Sequence, residues 1–134
     1  MSYTQLVCYA LLKLTLKEVI NKHSGVKDLL CSYFLKTALY WVSENTDIEM
    51  FRMSNISDCY ALCIDQLITW IRFCVCPNYF IPKHNMFKGK IDKVNNQLLD
   101  VLSEIRSKGI KCLFHICNDT SKISDKHADL RLLL

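Results

Sequence analysis

Apolar residues recur along this chain at intervals of three and four, the spacing that lines one side of an α-helix. Four segments carry the pattern. In the first, residues 4–22, the opening half is apolar nearly all round: Leu6, Val7, Tyr9, Ala10, Leu11, Leu12, Leu14 and Leu16, with no charge before Lys13. A helix without a polar face is one covered on several sides. Four helices of this size can hardly cover it, so part of its surface is expected to face something absent from these residues. Ser24 and Gly25 break that helix, and Asp28 or Ser32 is placed to cap the second, residues 31–44. There Phe34, Leu35, Ala38, Trp41 and Val42 share one side, and Ser32, Tyr33, Lys36, Thr37 and Tyr40 the other.

A polar connection follows, and a Ser57/Asp58 cap opens the third helix. Its Tyr60, Cys63, Ile64, Leu67, Ile68 and Ile71 keep the rhythm until Cys76 and Pro77 stop it. The stretch Asn78-Tyr-Phe-Ile-Pro82 is too apolar for a free loop and too proline-bounded for a helix, which predicts an extended segment pinned by its aromatics. The fourth helix, residues 91–108, aligns Ile91, Val94, Leu98, Val101, Leu102 and Ile105 and stops at Gly109. The chain divides into a helical domain, 1–110, and a short extended segment with a frayed tail, 111–134.

Composition narrows the class. A length of 134 residues suits one domain, and three Gly with two Pro argue against a turn-rich β fold. No apolar run reaches the length of a membrane span, so no membrane partner is expected. Nor does the start read as a secretory signal. Eight cysteines set in apolar helical patterns then point to reduced, buried thiols and to the cytoplasm or also the nucleus. Cys74-x-Cys76 with His84, and Cys112-x-x-His115-x-Cys117, lack the paired spacing of a zinc site, and no metal is expected. The net charge of +4 is mild and compatible with nucleotide or nucleic-acid partners.

Two motifs carry a resemblance. Cys31-Ser-Tyr-Phe-Leu-Lys-Thr-Ala-Leu-Tyr-Trp41 resembles the Ser-Tyr-His-x-Lys-Thr signature of the Mab-21 family, which includes cyclic GMP-AMP synthase-like receptors. Asn78-Tyr-Phe-Ile-Pro82 followed by Asn85-Met-Phe87 resembles its Tyr-Phe-Ile-Pro-x-x-Asn-Leu-Phe pattern, in the right order. Phe34 stands where the family has His, and it turns toward the core side. The resemblance spans residues 8–109 and implies an all-α helical bundle of the helix-hairpin-helix/helix-two-turn-helix type. It implies the C-terminal lobe of a two-lobed nucleotidyltransferase-like protein. The N-terminal nucleotidyltransferase lobe, with a Gly-Ser pair and a carboxylate triad for Mg²⁺ or Mn²⁺, is not among these residues.

By position, the resemblance gives Lys13 a triphosphate contact, Ser32 a phosphate oxygen, Tyr33 a base to stack on and Lys36 added positive charge, with ATP or GTP as the nucleotide. The physics permits it. A serine at a helix start sits beside unpaired N–H groups, a lysine one turn on shares its side, and a tyrosine offers a π face. The plainer readings are a solvated polar face and a Lys13 that reaches past its apolar neighbours to water. Phosphoryl transfer needs clustered carboxylates. Asp47-Ile-Glu49 lies in a connection between helices, so this chain alone is expected not to catalyse and to hold no cofactor itself. Lys83, Lys88, Lys90 and Lys93 gather where the fourth helix should start, opposing its dipole. Double-stranded nucleic acid is the partner that the resemblance suggests for them, a solvated charged rim the plain reading. The parent reads as a nucleotidyltransferase-type innate immune receptor, or else as a catalytically silent interaction or developmental module.

Overall fold

The computed structural model describes residues 1–114. Among them stand four α-helices: α1 (Tyr3–Glu18), α2 (Ser32–Asn45), α3 (Ile56–Phe73) and α4 (Asn96–Lys108). No strand occurs among the described residues; Pro77 and Asn85 form an isolated antiparallel bridge. The fold is the all-α bundle that the periodicity predicts. α3 runs through its middle and touches the other three helices. Cys63, Ile64, Leu67 and Ile71 on α3 are wholly buried, as the 3-4 rhythm requires.

Helix ends differ from the sequence reading where side-chain bonds decide them. Ser2 caps α1: its hydroxyl accepts from Gln5 N at 3.2 Å while the Gln5 side chain accepts from Ser2 N at 2.7 Å. The last turn expected of this helix tightens into a 3-10 turn, Ile20–Lys22, which buries Ile20. Neither Asp28 nor Ser32 caps α2. The cap residue is Cys31, which offers no side-chain bond, and Asp28 takes a left-handed φ of 65° with its N–H donated to Asn21 Oδ1. α3 starts at Ile56 rather than after Ser57/Asp58, and turns out at Cys74, φ 55°, before the proline is reached.

α4 is the clearest correction. It opens at Asn96, capped by Asn95 Oδ1 accepting from Leu98 N at 2.9 Å, five residues after the expected start at Ile91. Ile91 is buried, but as part of a turn whose N–H donates to Phe87 O, and Val94 is exposed. Periodicity carried the pattern backward past a cap that Asn95 supplies more strongly. Gly109, φ 63°, ends α4 as expected. A 3-10 turn, Gly109–Leu113, then replaces the extended start expected beyond residue 110. The expected tail lies outside the described residues.

α1 bears on the reading of its apolar surface. Its bundle side carries Thr4, Cys8, Leu12 and Thr15, all buried. Tyr9, Leu11 and Leu16 pack against the core from its edges. Leu6, Val7 and Leu14 are half-buried and outside that core cluster, and Tyr3 is 64% exposed. Tyr3, Val7, Ala10 and Leu14 share one stripe of the helix by their 4-3-4 spacing, and along it burial varies: Tyr3 is exposed, Val7 and Leu14 are half-buried and Ala10 is buried. The helix is thus neither wrapped completely by its neighbours nor stripped bare.

Candidate functional site

α1 and α2 pack together, and Gln5 Nε2 near the start of α1 donates to Ser43 Oγ near the end of α2 at 3.0 Å. Ser32, Lys36 and Ser43 share one stripe of α2, the stripe whose Ser43 bonds α1. Lys13 lies one turn beyond Tyr9, its Nζ 5.5 Å from the Tyr9 ring. Lys36 Nζ stands 5.9 Å from the Tyr40 ring. Tyr33 is 48% exposed, while Ser32 and Lys36 are half-exposed at the uncapped start of α2. Lys13 thus stands on α1, and Ser32, Tyr33 and Lys36 on α2, so the two packed helices carry two ammonium groups, a hydroxyl and an exposed ring, each at least partly accessible. That set suits an anionic ligand bearing a flat ring.

Thr37 does not belong to this polar side. It is buried, its hydroxyl donating to Tyr33 O at 2.8 Å, which satisfies it within the helix. Phe34 is buried as expected and meets Phe87 edge to face, ring centroids 5.0 Å apart.

The segment between α3 and α4 is held by asparagines that the sequence reading passed over. Asn85 Oδ1 accepts from Cys76 N at 2.9 Å and from Phe87 N at 3.0 Å, and its Nδ2 donates to Cys74 O at 2.9 Å. Asn78 Oδ1 accepts from Phe80 N and Ile81 N. Asparagine beside proline is the local signal for such side-chain-closed turns. Tyr79 is pinned as the aromatic pattern suggested, 5.2 Å from Tyr40 and 5.4 Å from Trp41, and Trp41 Nε1 donates to Pro77 O. Glu44 accepting from the Tyr79 hydroxyl raises that phenol's pKa. Phe80 and Ile81 instead stand in solvent, 77% and 62% exposed.

Lys83, Lys88, Lys90 and Lys93 are all exposed and all precede α4. The dipole argument for a nucleic-acid surface therefore falls, because none of them sits in the first turn of a helix. Lys90 Nζ lies 5.4 Å from the Phe34 ring.

Asp47 and Glu49 serve local structure: Asp47 Oδ1 accepts from Glu49 N, and Glu49 pairs with Arg52. Cys59 and Cys63 are wholly buried, as expected of core thiols. A hydrogen bond with Cys8, and then burial, hold the Cys63 thiol well above its ordinary pKa, and burial pushes Cys76 up to about 12. Among the described residues no three His, Cys, Asp or Glu side chains come together as metal ligands. The described residues therefore offer no ligand set for a divalent cation.

Residues 5–107 match the family described as Mab-21 protein HhH/H2TH-like domain. Over 95 residues the chain is 30% identical to the cyclic GMP-AMP synthase of Mus musculus, a match covering 69% of this chain and 18% of that protein. The chain thus spans less than a fifth of that relative's length. No solved structure matches it.

Proposed function

Because this chain belongs to the Mab-21 family, by a match over residues 5–107, we propose that it works as a nucleotide-holding helical lobe. Its chemistry is done by a nucleotidyltransferase lobe outside these residues. Lys13 and Lys36 neutralise phosphate charge, Ser32 bonds a phosphate oxygen, and Tyr33 stacks on the base of ATP or GTP. What supports this reading is that Ser32, Tyr33 and Lys36 stand at least partly accessible on the first turns of α2, and Lys13 likewise on α1, the helix packed against it. Mg²⁺ or Mn²⁺ is assigned to the other lobe, since the described residues offer no ligand set.

The apolar surface left on α1 supports a docked partner lobe. Tyr3 is exposed and Leu6, Val7 and Leu14 are only half-buried, while the buried residues of the same helix include two threonines. A helix folded for this bundle alone places its apolar side inward. Free thiols at Cys8, Cys31, Cys59, Cys63, Cys74, Cys76 and Cys112 support a reducing compartment, cytoplasmic or nuclear. No helix of the described residues is long and apolar enough to cross a membrane. The exposed lysines of residues 83–93 support double-stranded nucleic acid as a second partner of the parent protein.

Titration of GTP into the isotopically labelled chain tests the reading. The amides of Lys13, Ser32, Tyr33 and Lys36 are expected to shift together, and Lys36→Ala is expected to abolish the shifts. Shifts that ignore these residues overturn the nucleotide role and favour the silent interaction module.

A further inference from the structure

Phe80 and Ile81 form the tip of the turn that Asn78 and Asn85 close, and they are the most exposed pair of adjacent large apolar residues among those described. A floppy loop normally folds such side chains down. Here the turn is braced: Pro77 and Pro82 bracket it, and Tyr79 anchors it to Tyr40 and Trp41. The backbone at the tip is also saturated from within. Phe80 N and Ile81 N both donate to Asn78 Oδ1, His84 N donates to Ile81 O, and Pro82 has no N–H to satisfy. Such a tip can leave water without stranding these donors, the chief penalty for putting a loop into an apolar medium.

Charge completes the picture. Residues 66–91 carry Arg72, Lys83, Lys88 and Lys90, with His84, and not one carboxylate. Lys83 and His84 adjoin the tip. The nearby acids are engaged, Glu44 by the Tyr79 hydroxyl and Asp92 by Gly89 N. Phe73 and Val75 are also exposed, where α3 gives way to the turn.

We infer that the tip of Phe80 and Ile81, with the lysines around it, is a peripheral docking site for an anionic lipid surface. The two apolar side chains enter the headgroup boundary while Lys83, Lys88 and Lys90 meet the lipid phosphates. A nucleic-acid duplex accounts for the lysines but gives no use to an aliphatic side chain such as Ile81. This inference stands apart from the nucleotide reading and survives its failure. It revises the expectation of no membrane partner, which rested on the length of apolar runs. A docking tip needs two side chains in the right place, not a run.

Vesicle flotation of the full chain tests it, with phosphatidylcholine alone and with roughly one-third phosphatidylserine added. Binding is expected only with phosphatidylserine, falling about tenfold or more in the double variant Phe80→Ser, Ile81→Ser and likewise in Lys83→Glu, Lys88→Glu. Where the double serine variant melts early, Ile81→Gln alone replaces it. Absence of binding to the anionic vesicles overturns the inference, as does undiminished binding of the serine variants. Two further outcomes overturn it. A parallel loss of duplex DNA affinity in the serine variant assigns the tip to nucleic acid, and its conversion from dimer to monomer in gel filtration assigns the tip to a second copy of the chain.

Discussion

The Tyr60 hydroxyl lies 2.6 Å from Thr15 Oγ1, a buried polar link between α3 and α1. Thr15 also donates to Leu11 O at 2.8 Å. A hydroxyl has one proton, so with that donation Thr15 accepts from Tyr60, which in turn lies 3.6 Å from Cys112 Sγ. The bond ties α1 to α3 at Thr15. Thr15→Val is expected to leave the Tyr60 hydroxyl with only a weak sulfur partner and to cost about 1–3 kcal/mol. Tyr60→Phe, which leaves Thr15 its carbonyl, costs less. Urea unfolding that gives the reverse order contradicts this direction of donation.

Asn85 bonds three backbone groups at the root of the turn. Asn85→Ala strands all three, and about 3 kcal/mol is expected to be lost, part of the penalty being relieved where water enters. Asn78→Ala acts on the exposed tip and is expected to cost less than about 1 kcal/mol. Chemical denaturation of the two variants side by side checks the difference.

Alkaline pH should weaken the fold. Burial holds Cys76 up to about 12 against its ordinary 9.0, and Cys63, Cys59 and Tyr60 are raised as well. The unfolded chain releases these protons first. Their stabilising contribution is therefore whole below about pH 9 and is lost progressively as pH climbs toward the folded values. Urea midpoints measured upward from neutral pH should hold steady and then fall from about pH 9; a flat profile above that point contradicts the burial of these groups.

Thiol labelling of the native chain should reach the exposed Cys31 well before the buried Cys8, Cys59, Cys63 and Cys76. Mass-spectrometric mapping after brief alkylation gives the order. Early modification of Cys59 or Cys63 contradicts the packing of α3 against α1.

Replacing half-buried apolar residues of α1 that lie outside the core cluster should change association more than folding. Val7→Ser with Leu14→Ser removes apolar surface that lies outside the core cluster. Less self-association in gel filtration is expected, with a stability loss of about 1 kcal/mol per site. A loss above about 3 kcal/mol means that these side chains belong to the bundle core.

The four helices, the buried face of α3, the stop at Gly109 and the family were legible in the sequence. Each of these is written in local spacing: a helix repeats its inward side every three or four residues, and a short motif lies within one or two turns. The candidate nucleotide residues were legible through the resemblance alone, since Ser32, Tyr33 and Lys36 look like any polar side of a helix and Lys13 like any lysine reaching water.

The remainder depends on what packs against each element. Thr37 is buried because the bundle covers its side of α2; the bond of its hydroxyl to Tyr33 O, local to the helix, only makes that burial cheap. α4 starts at Asn96 because Ile91 finds its burial in the turn beside Phe87, where no helix is needed. Asn78 and Asn85 became structural, and Phe80 and Ile81 became surface, through hydrogen bonds whose partners no periodicity encodes. Spacing records which way a residue faces on its own element; burial and pairing depend on what arrives opposite, and that is set by the whole chain at once.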